Sequence, residues 1–259
     1  MSRFVRPPFP YKLGLNPSDP AVLARYSFPN YVDEAALPPL PEKIGHQNLL
    51  PVNLGMLGND TVGDCVIAGA DHEVMMWNAD ANKEVVFSTS TALADYSAIT
   101  GYNPDDPNSD QGTNPVDAAK YRMKTGMIDV QGNRHKIDAW VSLDPKNVNH
   151  LQEALYLFGA VGLAWALPDS AQTQFQEGKP WAVVRGATIE GGHYTPLVGW
   201  DGTYYWIITW GRLQAVKPTF VKKYLNEALA YISLESLTDG KTLDGFDLAT
   251  LQEDLKLVS

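Results

Sequence analysis

Asn59-Asp60-Thr61-Val62-Gly63-Asp64-Cys65 places the only cysteine of the chain directly after a turn and directly before a helix. Behind it, Val66-Ile67-Ala68-Gly69-Ala70-Asp71-His72-Glu73-Val74-Met75-Met76-Trp77 has apolar residues at 66/67, 70, 74 and 77, the three-to-four spacing of a buried helix face. Cys65 then falls in the first helical turn. There the unpaired backbone N–H groups and the positive end of the helix dipole favour a thiolate over a thiol. These are the electrostatics of a nucleophile, although a lone cysteine read by itself is equally a small buried hydrophobe.

A second stretch bears on that choice. Gly191-Gly192-His193-Tyr194-Thr195-Pro196-Leu197-Val198-Gly199-Trp200 and the aromatic, β-branched run Tyr204-Tyr205-Trp206-Ile207-Ile208-Thr209-Trp210-Gly211 predict two strands joined near Asp201-Gly202, a favoured hairpin dipeptide. Taken together, the two stretches resemble the papain-like cysteine peptidases. In that family a Gln stands six residues before the nucleophilic Cys and a Gly two before it. A Gly-His opens a strand of the form His-Ala-Val-x-x-Val-Gly-Tyr, and an Asn-Ser-Trp-Gly strand follows. This chain has Asn59 and Gly63 before Cys65, Gly192-His193 opening Tyr-Thr-Pro-Leu-Val-Gly-Trp, then Ile208-Thr209-Trp210-Gly211. The separation of Cys65 and His193 is close to the ~130–150 residues found in papain relatives. The likeness covers residues 50–235 and is nearer to divergent bacterial and viral (phage-type) members than to the secreted, disulfide-bonded enzymes.

The resemblance implies an α+β fold in which a helical half, about 49–130, packs against an antiparallel, barrel-like sheet half, about 131–235, with a cleft between them. Residues 1–48 would be a proline-rich arm and 236–259 a C-terminal tail. It also implies site residues: Cys65 as nucleophile, His193 as the base, and Asn59 donating with the Cys65 backbone N–H to an oxyanion. Four positions depart from the pattern. Asn59 is a methylene shorter than Gln. Asp64 opposes thiolate formation unless it turns outward or caps the helix. Val66 replaces an aromatic residue, and Ile208 stands where an Asn would orient the histidine. An apolar side chain cannot hold a ring N–H, so that task would pass to a backbone carbonyl, to water, or to Thr209 if a bulge shifts the strand by one residue.

The rest of the chain sets bounds. With 259 residues, 44% of them hydrophobic, it can build a substantial core, and its net charge of −10 without a dense basic cluster argues against nucleic acid as a partner. One cysteine allows no internal disulfide. No stretch approaches the ~18 apolar residues of a membrane span, and residues 1–10 lack a signal-peptide core. The expectation is a protein of the cytoplasm, or of a virion if virus-encoded, acting on peptide or protein substrates without a cofactor or metal. Ten of the 18 prolines lie within the first 51 residues, so this arm should be extended, with one short helix near 21–26. It reads as a strap on its own domain, as a partner-binding arm, or as a cover over the cleft.

Between the motifs, periodicity and capping residues predict helices over 88–99, 115–126, 148–158 and 220–232, and strands over 136–143, 160–167 and 181–189. Asp106, Asn108, Asp110 and Asp117 match four positions of a calcium loop, but Gln111 occupies the glycine position and Asp117 that of the bidentate Glu, leaving an ordinary surface loop as the better reading. His46, His72, His135 and His150 have no ligand spacing and read as surface or satisfied core residues. Tyr204, Tyr205, Trp206 and Trp210 read as core and face-covering residues of a sheet. Two functions stay open: a cysteine peptidase or related thiol hydrolase of low or restricted activity, and an inactive papain-fold assembly protein that binds through its arm and surface.

Overall fold

A computed structural model describes residues 10–32, 37, 39–237 and 241. The first nine residues of the arm and nearly all of the tail 236–259 lie outside them. The centre is helix α2 (Cys65–Asp80), fourteen of whose sixteen residues are buried. Helices α3 (Thr89–Thr100) and α4 (Pro115–Lys124) pack on one side of it, and a six-stranded antiparallel sheet packs on the other. A serine–threonine capping box at Ser88 and Thr91 starts α3, and the Asn114 side chain together with Pro115 starts α4, where the sequence puts these signals.

The sheet has the order β3-β8-β4-β5-β6-β7, formed by β3 (Ala139–Leu143), β8 (Leu225–Ile232), β4 (Val161–Pro168), β5 (Ile189–Trp200), β6 (Tyr205–Thr209) and β7 (Arg212–Val216). It is open, with β3 and β7 at its edges, and does not close into a barrel. A further small pair, β1 (Met127–Ile128) with β2 (Arg134–His135), adjoins α3. One face of the sheet contributes Tyr194, Val198, Ile208, Leu229 and Tyr231 to a core shared with α2. The other contributes Leu163, Trp165, Leu197 and Ile207 to a core shared with α5 (Val148–Phe158), α6 (Asp169–Gln176) and α7 (Pro218–Tyr224). Both faces are covered, so the inner strands are apolar almost throughout.

The helix expected over 220–232 is corrected: α7 ends at Tyr224 and Leu225–Ile232 is strand β8, paired with β3 and β4. Leu229 and Tyr231 join the α2 core while Ala228, Ala230 and Ile232 join the other, a two-residue alternation that the apolar run 228–232 conceals. The strand expected over 181–189 is reduced to one bridge, Trp181 to Val216, before β5 begins. The short helix expected near 21–26 is α1 (Pro20–Arg25), capped by Asp19.

Two contacts set α2 against β5. A Cβ built on Gly69 would lie 2.5 Å from the Tyr194 ring, so helix and strand meet where the helix lacks a side chain. At the next turn, the Tyr194 hydroxyl donates to Glu73 Oε1 at 2.6 Å, and Glu73 pairs with Arg122 of α4 at 2.7 Å, all three fully buried. The Arg122 guanidinium lies over the Tyr231 ring, 4.2 Å from its centroid. Gly69→Ala should therefore push the two halves apart and cost about 1–3 kcal/mol, as overpacking does, read as a lower urea midpoint at unchanged m.

Candidate active site

Cys65 is the first residue of α2, at the end of a tight loop in which the Thr61 and Val62 N–H groups return to the Gly58 carbonyl. The Gly63 N–H donates to both carboxylate oxygens of Asp110, at 3.2 and 3.0 Å, and Tyr96 also donates to Asp110 at 2.7 Å. Three of the four residues that match a calcium loop are thus spent on protein groups: Asp106 caps the Asn108 N–H, Asp117 pairs with Lys120, and Asp110 fastens the turn before Cys65. Asp64 is fully buried and does not cap the helix with its side chain. Its carboxyl lies under Gly58 and beside the Asn59 side chain, and burial raises its pKa strongly, which favours a neutral acid next to Cys65. Asn59 is buried with its side chain set against the Asp64 carboxyl, where it opposes part of the rise in the Asp64 pKa.

His193 lies in β5 and is fully buried. Its Nε2 is hydrogen-bonded to Thr209 Oγ1 at 2.8 Å, and its ring stacks on Trp210 with centroids 4.7 Å apart and planes 19° off parallel. The arrangement depends on a local irregularity. The β5–β6 register slips by one residue between Leu197 and Gly199, and Trp210 leaves the strand with φ +45°. Ile208 consequently packs toward α2 while Thr209 and Trp210 serve the histidine, whereas regular alternation predicts Ile208 and Trp210 on one face. With Nε2 engaged, Nδ1 is left without a hydrogen-bond partner.

The structure brings the two motifs onto adjoining elements along the α2–β5 contact, where the ring of Tyr194, the residue after His193, lies against Gly69 of the Cys65 helix. The arm then covers them. Residues 11–16 cross between the helical and sheet halves. The Leu15 N–H donates to the Gly192 carbonyl at 3.1 Å, the Thr113 N–H to the Gly14 carbonyl at 3.0 Å, and the Asn16 N–H to the Thr113 carbonyl at 2.9 Å. Lys12 pairs with Asp110 at 2.6 Å. Tyr11 exchanges backbone hydrogen bonds with the Gln172 side chain and packs its ring on Trp210, the residue that covers His193. The Gly14 backbone also lies against the thiol in the sense that favours the thiolate, while its carbonyl accepts from the Thr113 N–H.

Under this cover Cys65 is 1% and His193 0% exposed. Burial pushes the thiol up to about 12, against the backbone hydrogen bonds that favour its ionisation, and pushes the imidazole down to about 3. Both groups are neutral near pH 7, and no thiolate–imidazolium pair forms. The other histidines are engaged elsewhere: His72 with the Leu54 and Gly55 carbonyls, His135 with Asp129 and Glu235, His46 with Asp80, and His150 against the Phe28 ring. Thr209, Trp210 and the strap residues Lys12 and Gly14 are the contributors that motif spacing alone does not assign.

With the thiol near 12, about one molecule in ten thousand carries thiolate at pH 8, so iodoacetamide should alkylate Cys65 very slowly and faster as pH rises. Lys12→Glu, which turns the latch to Asp110 into a repulsion, should move that rise to lower pH. Thr209→Val keeps the shape but leaves His193 Nε2 unpaired in a buried site, and should cost about 1–3 kcal/mol in urea denaturation.

No family model and no curated protein matches the sequence. Solved structures do match in fold. Xylellain, a cysteine protease from Xylella fastidiosa, superposes with a TM-score of 0.65 at 15% identity, over 85% of this chain and 96% of its own. Procathepsin B S9 from Trypanosoma congolense gives 0.58 at 11% identity over 85% and 86%, and the Carica candamarcensis cysteine protease CMS1MS2 gives 0.53 at 13% over 75% and 99%. The chain has the fold of the papain-like cysteine proteases.

Proposed function

We propose that the protein is a papain-like cysteine peptidase of restricted activity, a divergent member of bacterial or viral type, which its own arm holds closed. The observation that carries this reading is the histidine site: His193 Nε2 is tied to Thr209, its ring is covered by Trp210, and Nδ1 is left uncommitted in the strand that packs on the Cys65 helix. A buried base whose ring is oriented by a hydroxyl, with its other nitrogen unpaired among the described residues, suits general-base work. The Asn position is then filled functionally by Thr209, one residue later than motif alignment puts it.

Once the strap leaves, water enters and the desolvation that separates the two pKa values is relieved. Cys65 passes its proton to His193 Nδ1 and the sulfur attacks the substrate carbonyl carbon, forming a C–S bond and a tetrahedral oxyanion. Asn59 Nδ2 and the Cys65 backbone N–H donate to that oxyanion. Collapse breaks the C–N bond, and the leaving amine takes the proton from the imidazolium. Water, activated by His193, then cleaves the thioester, releasing the acid and restoring the thiol. Asp64 acts here as a positioning residue: a neutral carboxyl beside Asn59 adds no negative charge next to sulfur and braces the amide.

A second reading, an inactive papain-fold assembly protein, is favoured by one observation, the strap seated over a neutral thiol and a neutral imidazole. Turnover of a peptide library by wild type and by Lys12→Glu separates the two. The peptidase reading expects cleavage that rises in Lys12→Glu, vanishes in Cys65→Ala, falls about 100-fold or more in Asn59→Ala and falls roughly 100-fold in Thr209→Val through loss of ring alignment. No cleavage by Lys12→Glu, with Cys65 nevertheless open to iodoacetamide, would leave the assembly protein standing.

A further inference from the structure

The strap fits the cleft most tightly at one residue. Gly14 passes so close to the helical wall that a Cβ on it would overlap the Gly63 carbonyl. From the same wall, a Cβ on Gly112 would overlap the Gly14 carbonyl oxygen. From the sheet wall, a Cβ on Gly192 would overlap the Leu15 carbonyl, and one on Gly191 would stand 3.0 Å from the Leu13 side chain. Five glycines therefore meet along strap residues 13–15. At Gly14 the opposing atoms are backbone, and backbone held by the Gly63–Asp110 and Thr113–Gly14 hydrogen bonds cannot swing aside as a side chain would. The residues on either side are received differently. Leu13 packs on the apolar cluster of the sheet half and Leu15 on that of the helical half.

We propose that the cleft selects extended peptide in which a glycine beside Cys65 is flanked on both sides by large aliphatic residues, Leu13-Gly14-Leu15 being the example carried by the chain itself. The constriction is made by the Gly63 backbone, which excludes a side chain from a peptide that runs as the strap does, and the bare Gly112 leaves room for the carbonyl of that residue. The apolar anchors at 13 and 15 lie on different walls, so only an extended segment with aliphatic residues on both sides of the glycine engages both.

Any turnover of such a peptide rests on the proposed peptidase, whereas the test of selectivity reads occupancy alone. The full chain carrying Tyr11→Ala and Lys12→Glu, with its strap loosened at both anchors, is treated with iodoacetamide in the presence of the capped hexapeptides Tyr-Lys-Leu-Gly-Leu-Asn, Tyr-Lys-Leu-Ala-Leu-Asn and Tyr-Lys-Ser-Gly-Ser-Asn. The first should protect Cys65 at least tenfold better than either of the others. Equal protection by the alanine peptide would overturn the glycine requirement, and equal protection by the serine peptide the aliphatic flanks. In the otherwise unaltered chain, Gly14→Ala should expel the strap and speed Cys65 alkylation at least tenfold with an unchanged circular dichroism spectrum. Alkylation as slow as wild type would show that the constriction admits a side chain and would end the proposal even if the loosened double variant failed to fold. Failure of peptide hydrolysis alongside selective protection would count against the peptidase and leave the recognition intact.

Discussion

The buried hydrogen bond from the Tyr194 hydroxyl to Glu73 is the interaction on which the site depends. It joins β5, one residue after His193, to α2, two turns after Cys65, in a fully buried region. A carboxylate there is costly unless it is paired. Arg122 from α4 supplies the opposite charge, and Trp77 and Tyr231 present their rings to its guanidinium. Four elements, α2, α4, β5 and β8, are thereby held in one relative placement. The absence of a side chain at Gly69 lets the Tyr194 ring lie against the helix, so that strand and helix are near enough for the hydroxyl to reach Glu73.

Electrostatics in the cleft depend on what fills it. Cys65 at a helix N-terminus has the fixed dipoles that lower a thiol pKa, yet the thiol is pushed up to about 12 because the strap removes the water that would solvate a thiolate. The imidazole moves in the opposite direction for the same reason, down to about 3. Desolvation overrides the dipole here. Asp110 ties the two features together, since it holds Gly63 in the turn before Cys65 and receives Lys12 from the strap. Burial opposes its ionisation, and the hydrogen bonds from Lys12, Tyr96 and Gly63 still hold its pKa below the ordinary carboxylate value.

The elements whose period is visible in the side chains were legible from residues alone. Helix α5 over Val148–Phe158, the Ser88 cap of α3 and the hairpin at Asp201-Gly202 all appear where periodicity and capping place them. The segment after Tyr224 was not legible, because its apolar run 228–232, buried on both faces of the sheet, reads equally as a buried helix. Nor was the charge in the middle of α2. Asp71, His72 and Glu73 look like a solvent face in one dimension, and they are buried because α3, α4 and the 47–55 segment close over the helix beside them while β5 meets Glu73 from the sheet.

The same division runs through the site. Sequence by itself determined the fold class, the order of the cysteine and histidine motifs, and the placement of Cys65 at a helix start, since these depend on local residue types and on spacing along the chain. Tertiary structure alone decided that Thr209 rather than residue 208 meets His193, because a one-residue slip in the β5–β6 pairing leaves no mark on the residues that pair. It alone decided where the arm goes. Leu13-Gly14-Leu15 is an ordinary tripeptide in the sequence, and becomes the stopper of the cleft only because Gly63, Gly112, Gly191 and Gly192, distant along the chain, are folded into two walls one backbone apart.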